Sequence, residues 1–370
     1  MTQPSLANIL TCLTAGAPLP ALTADAWDLL SQQMLAHDLA PFVYARLRST
    51  AAWPALPAAT RARLSASFQS FSLRTYFLEN ELAHIVAALA AVGVPVMLLK
   101  GAALGRLVYD SPVERPLNDF DLLVPPDRVT VALRALAARG YEAQSLFWLS
   151  AWQRRYRAEV PLICRARERW RLLLELHWAL VELPYYIDAI PGADIWQNAV
   201  PAPGLPGAFV PDPATLLLHS CAHAAFHHSH DERLLWLLDV ERLLRLPTLD
   251  WEIVLARATR WKLSAVLFRR LALAQSRLGA SAPPTVMARL AHSAPDRWEQ
   301  RMIGLGDEQP GRAWRRARIS WLAFGARQRL RYSAWLGLRS LLWLPETIVR
   351  LRQQRAARLP DLVKPSYDIG

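Results

Sequence analysis

The sequence predicts a helix-rich α/β (α+β) protein with helical additions before and after a small sheet-bearing core. Three observations carry this. Amphipathic stretches with helical spacing fill the first 90 residues; two short apolar runs, "VPVMLL" at 94–99 and "RPLNDFDLLV" at 115–124, have strand character. Glycine is scarce, 15 residues in 370, while Ala, Leu and Arg recur throughout, a bias toward helix. The length calls for two or three packing units. At 53% hydrophobic and 20% charged residues, the chain has the apolar material for a sizeable core, which argues against disorder.

Taken in order, "ADAWDLLSQQMLAHDLAPFVYARL" and "TRARLSASFQSFSLRTYFLENELAHIVAALAAVG" carry apolar residues at helical intervals, the second ended by Gly93. "VPVMLL" is short, apolar and introduced by Gly and Pro, as a buried strand is. "KGAALGRLVYD" reads as a helix leaving that strand, and "RPLNDFDLLV" as the next strand. "PPD" turns the chain into a helix, "RVTVALRALAARGY", stopped by Gly140. The stretch "VPLICRARERWRLLLELHW", 160–178, fits two strands around a polar turn or a strand and a short helix, and periodicity does not decide between them.

Beyond residue 185, the Pro-rich "VPAPGLPGAFVPDPA" reads as a linker at a domain boundary. Helices follow in "TLLLHSCAHAAFHHSHDERLLWLLDVERLL" and "DWEIVLARATRWKLSAVLFRRLALAQSRLG". The expected plan is a helical region over 1–90, a core over 91–185, a helical domain over 186–310 and a basic segment over 311–370.

Cys12, Cys164 and Cys221 are odd in number, far apart and form no CxxC pair, which fits a reduced compartment rather than a zinc or redox site. The first residues lack a basic leader, and no later run reaches the roughly 18–20 apolar residues of a spanning helix. The expected location is cytoplasmic, or peripheral at a membrane surface.

The net charge of +12 is unevenly placed. Between Gly311 and Pro360 stand twelve arginines, no lysine and one acid, Glu346, so +11 of it belongs to this segment. Four tryptophans, Trp314, Trp321, Trp335 and Trp343, are interleaved with those arginines. The composition suits an amphipathic helix on an anionic membrane surface or against an acidic protein partner. RNA, through phosphate contacts and stacking, is a weaker match. The plainest alternative is a helical hairpin that packs Trp and Leu inward and leaves arginines in solvent.

Asp119 and Asp121, in "NDFD", stand at the mouth of the second strand. Side chains at i and i+2 of a strand share a face roughly 6–7 Å apart. Carboxylates that close repel one another unless a cation lies between them, and Mg²⁺ or Mn²⁺ with oxygen ligands meets that need. Two such ions about 3.5–4 Å apart hold the attacking and leaving oxygens in phosphoryl transfer. The plainer alternative is a turn at a strand start with Asp121 solvated at an edge. Against it stand the neighbours: "LKG" opening a helix, then Tyr109 and Arg115, within 25 residues. Gly101 at a helix start lets phosphate approach backbone N–H groups, and Lys100 and Arg115 add positive charge.

Over residues 80–275 the chain resembles nucleotidyltransferases of the polymerase-beta-like superfamily, in a largely uncharacterised bacterial branch where Leu-Lys-Gly replaces the commoner Gly-Ser. The matching stretches are "LLKGAALGRLVYD", "RPLNDFDLLV", "GY" at 140–141, "LELHW" at 174–178, "HSCAHAAF" and "WLLDVERLL". The resemblance implies a small mixed sheet flanked by helices. It further implies that Asp119 and Asp121 bind catalytic metal, with Lys100 and Gly101 near the nucleotide's phosphates. It offers Glu175, in "LLLELHW", as a third carboxylate that completes the metal shell or takes the acceptor's proton. His177 would face the same way as Glu175.

His219, His223 and His227 lie at i, i+4 and i+8 on one helical face, with His228 and His230 following. Three imidazoles in a row can hold zinc, but there is no HExxH, and core or surface histidines are the commoner case. His223 and Asp239 match positions in the family's helical part and join the candidates for acceptor binding or for bracing the site.

The expected reaction transfers a nucleotidyl group from a Mg²⁺-bound NTP to a hydroxyl or similar acceptor, releasing pyrophosphate. A small molecule or peptide in a biosynthetic pathway is the preferred acceptor. A toxin-like enzyme that modifies tRNA and a non-catalytic binding protein are the alternatives.

Overall fold

The computed structural model describes residues 5–143, 154–164, 172–227, 233–293, 296–303 and 312–338. Four helices open the chain: α1 (Leu6–Ala15), α2 (Ala24–Ala36), α3 (Ala40–Leu47) and the 34-residue α4 (Ala58–Ala91). Helix α1 is capped by Ser5, whose hydroxyl accepts from the Asn8 N–H. The chain reverses between α2 and α3 at Asp38, which takes a left-handed φ of 58°, and leaves α4 through Gly93 at φ 69°.

The sheet-bearing part follows as β1 (Val96–Leu98), α5 (Lys100–Leu107), β2 (Phe120–Leu123), α6 (Val129–Ala138), β3 (Tyr141–Ala143), β4 (Glu159–Cys164) and β5 (Leu172–His177). Two short helices, α7 (Pro184–Ala189) and α8 (Gly192–Gln197), lead to β6 (Val200–Pro201) and β7 (Ala208–Val210). The seven strands form one mixed sheet in the order β3-β4-β5-β2-β1-β7-β6. Strands β2 and β5 are parallel, as are β1 and β7; β1/β2, β3/β4, β4/β5 and β6/β7 are antiparallel.

Residues 160–178 resolve into two antiparallel strands, paired from Glu159–His177 to Cys164–Leu172; their connection, 165–171, lies outside the described residues. The Pro-rich stretch expected to be a linker instead extends the sheet, because β7 pairs with β1. "AFV" is a short apolar strand between Gly207, at φ 87°, and Pro211. Its partner β6 carries Pro201 at the sheet edge, where a missing N–H costs no ladder bond.

The remaining helices are α9 (Pro213–His227), α10 (Leu234–Leu244), α11 (Trp251–Arg260), α12 (Ser264–Leu278), α13 (Pro284–His292), α14 (Arg297–Ile303) and α15 (Arg312–Ala323). Lys262, at φ 59°, separates α11 from α12 inside a run whose spacing alone reads as continuous helix. Phe120, Leu122, Leu174 and Leu176 are fully buried. Strand alternation puts them on the face of β2 and β5 opposite Asp121 and Glu175, so apolar burial fixes where those carboxylates point.

Contacts divide the chain into Met1–Ile319 and a second unit beginning at Ser320. In the described part of the second unit, residues 326–338 are helical. There Tyr332 stacks on Trp335 with ring centroids 5.5 Å apart, Phe324 meets Tyr332 edge-on, and Trp321 Nε1–H donates to Ser333 Oγ. Trp343 and the arginines from Arg339 onward lie outside the described residues. Among the described residues, no helix is long and apolar enough to cross a membrane.

Candidate functional site

The site is built on adjacent strands. In the parallel β2–β5 pair, Asp121 is the register partner of Glu175 and Leu123 of His177; in the antiparallel β4–β5 pair, Glu159 is the partner of His177. Register partners share a face, so three carboxylates and an imidazole project together from three strands.

Helix α5 sends a cation into this group. Lys100 Nζ lies 2.6 Å from Asp121 Oδ1 and 3.1 Å from Glu175 Oε2. His177 Nε2 lies 3.0 Å from the same Asp121 oxygen and 3.6 Å from Glu175 Oε2, and its Nδ1 lies 3.1 Å from Glu159 Oε2. Asp121 and His177 are each only 2% exposed, while Glu175 stands at the opening.

The charges reshape one another. Burial opposes protonation of His177, but Glu159, Asp121 and Glu175 outweigh it and push the imidazole up to about 9. Burial likewise opposes the Lys100 ammonium, and the attraction of Asp121 and Glu175 reverses the sign, holding it firmly protonated. Burial would raise Glu175, yet hydrogen bonding to His177 and the charge of Lys100 hold it well below the usual carboxylate range. Glu159 is pushed upward by burial. Asp119, half-buried at the strand mouth, rises to about 6, first through burial and then through Asp121 and Glu175.

These groups form one wall of a cavity of about 410 Å³. Lys100, Gly101, Arg115, Asp119, Asp121 and Glu175 border it on the sheet side. Across the cavity, α9 and α10 contribute His219, His223, Trp236 and Asp239. The His219 and His223 rings stand 6.3 Å apart, and the edge of His223 meets Trp236 at the same distance. The side chain of His227 and all of His228 and His230 lie outside the described residues.

Arg115 is held rather than presented. Its Nε donates to both carboxylate oxygens of Asp239 at 2.8 and 3.1 Å, one terminal NH₂ group to Asp239 Oδ2 at 2.9 Å, and the other to the Pro116 carbonyl. The Tyr109 hydroxyl donates to the same carboxylate at 2.8 Å. This buried cluster ties the loop before β2 to α10 and so fixes one cavity wall to the other. Gly101 belongs to the same packing. A Cβ there would stand 3.1 Å from Leu117 Cδ1 and 3.4 Å from the Arg115 guanidinium, so glycine lets α5 start against the 115–117 loop.

The donor set fits a divalent cation. Asp121, Glu175 and His177 each offer one ligand atom, all within 4.8 Å of one another, the only such group among the described residues. Two carboxylates with one imidazole form a mixed oxygen–nitrogen donor set of the kind that holds divalent metals. Glu159 Oε2 lies 3.1 Å from Nδ1, the second ring nitrogen, within ion-pair distance but without a hydrogen bond.

A family model described as "Uncharacterised nucleotidyltransferase" matches residues 23–279, most of the chain and all of this site. The chain belongs to that nucleotidyltransferase family. No curated protein matches it in sequence. Among solved structures it is similar to an antigenic nucleotidyltransferase-like protein from Paracoccidioides brasiliensis, at 16% identity over 57% of this chain and 96% of that one, with a TM-score of 0.37. Membership makes nucleotidyl transfer the class of activity to which the site belongs.

Of the residues the sequence put forward in this nucleotidyltransferase, Lys100, Gly101, Arg115, Asp119, Asp121, Glu175, His223 and Asp239 all border the one cavity. His177 braces Asp121 from beneath. Glu159 was not among them. As a single acid opening an apolar run, it reveals its partner only once the β4–β5 register is known. Trp236 and Arg233 also reach the cavity unannounced, and His219, which the sequence placed on one helical face with His223, joins them.

Proposed function

We propose that this chain is a metal-dependent nucleotidyltransferase that moves a nucleotidyl group from an NTP to a hydroxyl or similar acceptor, releasing pyrophosphate. The observation that carries this reading is the in-register Asp121–Glu175 pair on parallel strands, opening on a cavity with His177 behind it and Asp119 at its mouth. A divalent ion bound there would stabilise charge developing on the phosphoryl oxygens.

The chain's own groups divide the remaining work. Asp121 and Glu175 hold the ion, supported by Asp119; Glu159 fixes the His177 ring; Lys100 meets the phosphates. That Glu175 is kept proton-poor favours its role as a ligand over that of general base. The opposite wall, with His223 and Trp236, is where the acceptor or the base would lie.

The test is label transfer from α-³²P-labelled NTPs, with Mg²⁺ or Mn²⁺, to a small-molecule extract, a peptide fraction or tRNA. Label in the first two supports biosynthetic tailoring; label in tRNA moves the assignment to a toxin-like enzyme. The ammonium already bridging the two acids favours a second reading, a binding protein that keeps the fold. NTP binding with no transfer under any of these conditions would select it.

A further inference from the structure

We infer that Lys100 is a displaceable internal counter-ion: it closes the Asp121–Glu175 pair when metal is absent and leaves for the nucleotide's phosphates when metal enters. The inference rests on the proposed metal-dependent reading and adds an order to it, coupling metal and nucleotide binding through one side chain.

Geometry makes the exchange necessary. The ammonium contacts the carboxylates of Asp121 and Glu175, two of the three residues of the candidate metal group. A second cation held by the same two carboxylates would lie close to a full positive charge, in a site where burial weakens screening. The lysine must therefore move, and its chemistry permits that. A four-carbon stem ending in a point charge can swing, whereas an arginine fork locks onto a carboxylate, as Arg115 does on Asp239.

The backbone is arranged for this contact. Lys100 has a φ of 44°, one of three left-handed non-glycine residues among those described. The other two, Asp38 and Lys262, sit where the chain breaks between helices, but Lys100 sits between a strand and the first turn of α5. Such a conformation is disfavoured for a residue with a Cβ and persists where its surroundings enforce it. Here it turns the side chain across the ends of β2 and β5.

A destination exists in the same cavity. Of the other cations on its walls, Arg115 is bound to Asp239 and Arg233 lies 3.3 Å from Asp38. Lys100 is the one whose present partners a metal would take over, so an incoming phosphate gains a positive charge when the metal arrives. Linkage then makes each ligand tighten the other.

The decisive property is a change of opposite sign in one variant. In Lys100→Met, calorimetric titration with Mn²⁺ alone should give affinity at least tenfold tighter than wild type. Binding of α,β-methylene-ATP in saturating Mn²⁺ should be at least tenfold weaker. A lysine that merely supports the fold would weaken both, and that result, or unchanged Mn²⁺ affinity, overturns the inference while leaving the metal site standing. If neither protein binds Mn²⁺, the metal-dependent reading falls together with it. Should the variant not fold, the wild-type chain provides the measurement. Acetylation of Lys100 by an N-hydroxysuccinimide ester, read by mass spectrometry, should rise at least threefold in saturating Mn²⁺, and equal labelling with and without the ion overturns the proposal.

Discussion

Asp121 and Glu175 are register partners on parallel strands, and the Lys100 ammonium bridges their carboxylates at 2.6 and 3.1 Å. The pair is held by the sheet from below and by one side chain from above, which sets its function apart from its stability. On the proposed reading both acids hold the metal, so Asp121→Asn and Glu175→Gln should each lower kcat/KM at least about 100-fold, a loss of about 2.7 kcal/mol or more of transition-state stabilisation.

Stability in chelator isolates the other role. Asp121 accepts from both Lys100 and His177, so Asp121→Leu leaves one buried and one half-buried cation facing one carboxylate fewer. Breaking a buried pair from one side costs about 3–5 kcal/mol, and a loss near that size is expected from urea unfolding in EDTA. The double variant Lys100→Met/Asp121→Leu should recover part of it. A double variant less stable than either single one would contradict the ion-pair account.

The Arg115–Asp239 clamp makes a separate claim, because it joins the loop before β2 to α10. Arg115→Lys keeps the charge but loses the fork that bonds both carboxylate oxygens. A loss of about 2 kcal/mol is expected, in line with two hydrogen bonds between charged groups. Because the clamp fixes one cavity wall to the other, KM for the NTP should rise more than kcat falls. A stable variant with unaltered KM would show that the cavity does not depend on it.

Much of this site was legible because its residues obey short-range rules. Asp119 and Asp121 follow strand alternation, and Lys100-Gly101 marks the point where an apolar strand gives way to a helix. The strand pair at 160–178 was open in the sequence because a polar turn and a short helix look alike over so few residues. Glu159 was invisible for a different reason: its importance lies in a register with His177 that only the folded sheet defines. Strands β6 and β7 were hidden by proline and glycine, whose usual association with linkers is correct locally and overridden here by pairing with β1. The helical break at Lys262 carries neither glycine nor proline, so composition gave no warning of it, whereas the break at Asp38 was signalled only by Pro41 in the first turn of α3.

His177 should make stability depend on pH in a defined direction. Its folded value of about 9 lies above the ordinary 6.5, so its contribution is complete below about pH 6.5 and is lost as pH rises through 9. In EDTA, the stability difference between wild type and His177→Gln should be largest near pH 6 and shrink toward pH 10. Chemical denaturation at four or five pH values reads this directly, and a difference that grows with pH would mean that the imidazole is not held protonated by its three carboxylates.

Glu299 supplies a slope of the same sign in a lower pH window, on a different element. Its carboxylate, 1% exposed on α14, accepts from the Ala265 and Val266 N–H groups at the start of α12, and burial raises it to about 7 from an ordinary 4.5. The folded state then binds the proton more tightly than the unfolded one. Stability should fall as pH rises from 4.5 through 7, with the penalty complete above that. Glu299→Gln removes the titration but keeps an oxygen for the two N–H donors. The variant should therefore gain on wild type with increasing pH across that window and run parallel to it above about pH 8. Parallel curves from pH 4.5 upward would mean that the α12 N–H groups already hold the carboxylate ionised, and that its burial contributes no pH dependence to the fold.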